Sequence, residues 1–144
     1  MIEKVIKNIT GETSRVNRYT ITAAAIGIAN VAILLFARWE IDPLEYSDGG
    51  LLLVIMTPLV LLGHFALGAV PGYMLARHRL VSPLVISGFL TRFAFVDRGS
   101  MEPFIALYSN PIVHAYILGA LVVVGFGEFL VRDVAPYVSH DPLL

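Results

Sequence analysis

The sequence predicts an all-α membrane protein, an antiparallel bundle of four transmembrane helices with both termini in the cytoplasm. Three observations predict it. Four apolar stretches fill most of the 144 residues, and a helix needs roughly 20 apolar residues to cross a hydrocarbon core of about 30 Å. The chain is 57% hydrophobic and 15% charged, with a mean hydropathy of +0.78, whereas soluble domains carry roughly 25% charged residues. A chain this short also lacks the residues to cover four fully buried helices. Finally, lysine and arginine fall unevenly between the apolar stretches, and that asymmetry sets orientation.

Residues 1–18 read as a cytoplasmic amphipathic segment. Ile2, Val5, Ile6 and Ile9 recur at helical spacing, with Glu3, Lys4 and Lys7 between them. The pattern suits a helix lying at the membrane surface, with partner binding as the alternative. These mostly polar residues precede the first apolar run, so no cleavable signal peptide is expected.

The transmembrane domain covers residues 19–131. Its first helix is expected at about 19–36, where Ala23 and Gly27 put small residues four apart on a helix-contact face. Asn30 sits among them as interhelical glue, worth on the order of 1 kcal/mol. Residues 39–50 form an acidic outer loop with Trp39 and Tyr46 as interface anchors and Asp42-Pro43 and Asp48-Gly49-Gly50 as turn chemistry. The second helix is expected at 51–75. Thr57, Leu61, His64, Gly68, Pro71 and Gly72 share one face, and Gly68 and Gly72 make a GxxxG that lets backbones approach closely. Pro58 and Pro71 free backbone carbonyls in this helix, which then line a pathway or find a donor nearby.

A short link around 76–83 makes the second and third helices a hairpin. The third helix, at 80–96, is near the lower limit for a span and carries Arg92 close to its outer end. The fourth is expected at 107–131, with Pro111 suited to a first helical turn. Residues 132–144 form a cytoplasmic tail. Lys4, Lys7, Arg15, Arg18, Arg77, Arg79 and Arg132 then share one side of the membrane, against Arg38 and Arg98 on the other. That bias makes the shared side cytoplasmic and points to a multi-pass protein of the plasma membrane.

Composition also excludes. A net charge of −1 without a basic stripe leaves no footprint for nucleic acid. The absence of cysteine removes disulfides, thiolate metal sites and thiol catalysis. The sequence holds no phosphate-binding loop, zincin or hydrolase motif, and its histidines show no metal-ligand spacing. Neither a catalytic residue nor a metal or cofactor is therefore expected. Scarce lysine with an acidic loop suits a GC-rich prokaryotic source.

The intramembrane polar residues are the candidate site. His64 falls near mid-membrane and marks a functional site or a hydrogen bond to a neighbouring helix, with Asn30 as a partner. His114 and Glu128 lie on nearly one face of the fourth helix, fourteen residues or about 20 Å apart. Glu128 pairs with Arg132 or serves as a proton or cation site. Arg92 snorkels to headgroups or meets Tyr108 or Tyr116. Three functions follow. The first is a packing or assembly subunit of a homo-oligomer or larger membrane complex. The alternative is a proton or small-ion transporter using His64, His114, Glu128 and Arg92. The third is a b-type haem anchor with His64 and His114 as ligands. It is disfavoured because helices of equal start would leave His114 about 10 Å shallower than His64.

Overall fold

The computed structural model describes residues 2–39, 50–96 and 110–135, with side chains at 18–36, 55–93 and 110–135. The described residues form four helices: α1 (Ile2–Trp39), α2 (Gly50–His78), α3 (Ser82–Val96) and α4 (Pro111–Val134). Three stretches are long and apolar enough to cross a membrane: Arg18–Phe36, Ile55–His78 and Pro111–Val134. At 15 residues, α3 is about 22 Å long and shorter than the hydrocarbon core.

Helix boundaries move from the expected ones for local reasons. No proline interrupts residues 2–39, so α1 runs unbroken from Ile2 rather than beginning at residue 19. The expected amphipathic segment is thus the first part of a 38-residue helix about 57 Å long. Helix α2 continues three residues past the expected end at residue 75 and stops at Arg79, whose φ of 56° is left-handed. The Arg79 amide donates to the Leu75 carbonyl at 2.9 Å, an αL cap formed here without the usual glycine. Asn110 caps α4, its side chain accepting from the Ile112 amide at 2.9 Å, and Pro111 takes the first turn. The expected outer loop begins and ends in helix, at Trp39 of α1 and Gly50 of α2; its residues 40–49, the segment 97–109 and the tail beyond residue 135 lie outside the described residues.

Small residues set the packing of α1 against α2. A methyl group added at Gly68 would lie 2.8 Å from the Asn30 Cβ and from the Ile26 carbonyl oxygen. One at Gly72 would meet Ile26, and one at Gly27 would meet the Phe65 ring and carbonyl. Ala23 is buried on the same side of α1. The GxxxG of α2 thus seats α1 of the same chain. These contacts run in opposite order along the two helices, which fixes them antiparallel. Helix α3 is likewise antiparallel to α2, since Ser87 lies on Leu67 and Thr91 lies at the level of Asn30.

Helices α2 and α4 run in the same direction. His64 meets His114, Met74 meets the position of Gly125, and His78 meets Phe129. Outward faces are apolar: Ile21, Ile28, Phe36, Val85, Phe89, Val123, Phe126 and Val131 are all exposed. Helix α4 is the least enclosed of the three candidate spans, 17% buried against 28% for α1 and 39% for α2. The exposed apolar residues are what a lipid-facing surface requires, because hydrocarbon imposes no cost on them.

Candidate functional site

Each of the four helices contributes a polar side chain at one level of the bundle. On α1 it is Asn30, on α2 His64, on α3 Thr91 and on α4 His114. All but Thr91 are buried, and Ser87, also buried, lies one turn from Thr91. The level lies fourteen residues from the basic end of α2 at His78, hence about 21 Å along the helix.

Asn30 organises one half of this layer. Its Nδ2 donates to the His64 carbonyl oxygen at 2.7 Å, and its Oδ1 accepts from the Thr91 hydroxyl at 2.7 Å. One amide therefore ties α1 to both α2 and α3. The expected link between Asn30 and His64 exists, but it reaches the backbone of His64 and leaves the ring to another contact. Thr91 also lies 3.0 Å from the Ser87 carbonyl.

One turn away, the Ser87 hydroxyl donates to the Leu67 carbonyl at 2.5 Å. Leu67 is four residues before Pro71, so its carbonyl lacks its usual intrahelical donor. A serine of α3 thus satisfies the carbonyl that a proline of α2 frees. The sequence showed the freed carbonyl; its donor is legible only once the helices are paired.

The other half of the layer is the imidazole pair. The His64 and His114 rings stand 4.4 Å apart between centroids, tilted by 57°. His64 is 4% exposed and His114 1%. Gly63 makes the room: a methyl there would come within 2.2 Å of His114 Nδ1. Gly63 is a site residue that sequence reading missed; its one signal is its place beside His64.

The contact corrects the expected depth of His114, which is level with His64 and not 10 Å shallower. Helix α4 begins only three residues before His114, whereas α2 begins fourteen before His64. Contacts at the other end hold this register. Gly125 packs against Met74 and Pro83, and the Glu128 carboxylate accepts from the amides of Val81 at 3.1 Å and Ser82 at 2.8 Å. No protein-family model, curated protein or solved structure matches the chain. The site is therefore read from its geometry.

Glu128 caps α3 from outside that helix. The first amides of a helix have no intrahelical acceptor, and a carboxylate there also suits the positive end of the helix dipole. The expected partner is present too, with Arg132 Nη2 at 2.6 Å from Glu128 Oε1. The two amide bonds were not legible, because they join residues 46 and 47 apart in sequence. Arg92 is exposed, one residue past Thr91, and takes no part in the interior layer. Thus the structure brings together Asn30, His64 and His114 and separates Glu128 and Arg92 from them. Among the described residues no group of three metal-ligating side chains occurs. Two imidazoles on opposite sides of one metal, at about 2 Å per bond, would hold their centroids about 6 Å apart. The 4.4 Å seen here is ring-to-ring contact, so the haem reading gains level rings but not a ligation geometry.

Proposed function

We propose that this chain is a packing or assembly subunit of an oligomer or larger complex in the plasma membrane, crossing the bilayer four times with both termini cytoplasmic. One observation carries the reading: the interior groups of Asn30, Ser87 and Thr91, and Glu128 at the start of α3, are engaged in tying helix to helix. Open helix faces support it. A methyl added at Gly88, Gly119 or Gly127 meets nothing within 4 Å, so α3 and α4 present outward glycines that a neighbouring helix can approach. The uneven lysine and arginine distribution supports the orientation. A fourth crossing through α3 relies on local bilayer thinning or on flanking residues, each at modest cost.

The test is extraction in mild detergent, followed by sizing and by mass spectrometry of co-purified chains. The reading expects a homo-oligomer or reproducible partner subunits. A monodisperse monomer without partners would overturn it.

A second reading, proton or small-ion transport, draws on the His64–His114 contact, because intramembrane titratable groups mark ion paths. Reconstituted vesicles then dissipate a pH gradient faster than empty ones, and His64→Gln abolishes the difference. Flux equal to that of empty vesicles counts against it.

A further inference from the structure

We propose that His64 and His114 together form one proton-binding site in the membrane interior, a pair of imidazoles that holds a single proton between them. This goes beyond the packing reading and does not require transport. The two rings come from different helices, are buried and stand 4.4 Å apart between centroids. Contact at that distance makes them one titrating unit rather than two independent side chains.

The chemistry balances simply. A proton from the aqueous phase adds to a ring nitrogen of the neutral pair, forming one N–H bond and a charge of +1. The other ring's nitrogen lone pair accepts a hydrogen bond from that N–H after a small rotation of either ring. A second proton would set two like charges in contact where little solvent screens them, so the pair stops at one. Gly63 permits this closeness, since any side chain there would push His114 away.

Neighbouring elements supply no competing charge among the described residues. From α1 the group at this level is Asn30, an uncharged amide bound to the His64 carbonyl and to Thr91. Arg18 is twelve residues from Asn30 along α1. From α3 the facing group is Thr91, while Arg92 is exposed. On α4, Tyr116 is 76% exposed, and Glu128 lies fourteen residues away beside Arg132. On α2, Tyr73 and Arg77 lie nine and thirteen residues away.

The chain has four histidines, so His78→Gln combined with His140→Gln leaves only the pair. Both changes lie away from the interior layer or outside the described residues. Imidazole nitrogen resonances are followed in detergent micelles from about pH 4 to about pH 9, a range bracketing the ordinary value near 6.5. The protons bound by the pair are counted from the imidazole resonances themselves, because the chain's eleven carboxylates also take up protons toward the acid end of this range. The proposal expects both rings to respond at one common midpoint with one proton taken up by the pair. Uptake of two protons, two unlinked midpoints, or no uptake across the range would each overturn it. His114→Gln adds a second check: the remaining His64 midpoint should move by at least a tenfold change in proton affinity, and an unchanged midpoint counts against sharing. If that variant does not fold, uptake in the His78→Gln/His140→Gln protein still decides. Because no gradient or partner is involved, failure here is distinct from failure of the pull-down or flux assays.

Discussion

Asn30 shows how much one side chain can hold. It donates to α2 through the His64 carbonyl and accepts from α3 through Thr91. Asn30→Ala removes both ties and should destabilise the bundle by about 1–2 kcal/mol, while Thr91→Val, nearly isosteric, removes one tie and should cost about 1 kcal/mol. Because the two residues share a bond, the double variant should lose less than the single losses combined. Reversible unfolding in mixed micelles measures all three, and full additivity would count against the bridge. A polar residue amid alanine and glycine was legible in the sequence as helix glue. Its acceptor was not, because the bond goes to a backbone atom 34 residues away that composition cannot mark. His114 failed for a related reason. Its depth depends on where α4 sits against α2, and hydropathy within one helix says nothing about sliding between helices.

Helix contacts follow from what glycine leaves empty. Gly63→Ala would place a methyl 2.2 Å from His114 Nδ1, and Gly68→Ala one 2.8 Å from Asn30 and from the Ile26 carbonyl. Each should cost about 1–3 kcal/mol through forced repacking. Gly88→Ala and Gly119→Ala meet nothing within the chain, so in the dispersed single chain they should be neutral or slightly stabilising through helix propensity. Thermal unfolding of the four variants separates the groups, and equal midpoints would remove the close-approach account. The GxxxG was legible because its spacing is local. Gly63 was not, because its importance comes from a ring on another helix. The start of α3 depends on Glu128 in the same way. Glu128→Ala removes the acceptor for the Val81 and Ser82 amides and the Arg132 pair, whereas Glu128→Gln keeps one carbonyl oxygen for an amide. Hydrogen exchange at Ser82 and Val85 should accelerate about fivefold or more in Glu128→Ala and less in Glu128→Gln, as for a lost cap of about 1 kcal/mol. Equal protection in both variants would assign Glu128 to its arginine alone.

At the scale of the molecule, apolar runs announced the helices because bilayer length and hydrophobicity are properties of contiguous sequence. Register between helices is not contiguous, and it came instead from Gly125 against Met74 and Pro83 and from Glu128 over the α3 amides. One consequence is a polar layer displaced along the bundle, about 21 Å from the end that carries Arg77 and Arg132. The proposed orientation puts that end in the cytoplasm on the positive-inside bias of its basic residues. The chain contains no cysteine, so single cysteines report orientation without background. Ser47 and Ser139, both outside the described residues, fall on opposite sides in the proposed four-span topology. A cysteine at Ser47 should react with a membrane-impermeant maleimide applied to intact cells, and one at Ser139 should react only after permeabilisation. Labelling at both positions from outside would mean an odd number of crossings, with α3 failing to span. Reversed labelling would put the basic end outside and defeat the charge bias. The assay thus separates two questions that the 15-residue length of α3 and the arginine distribution raise independently.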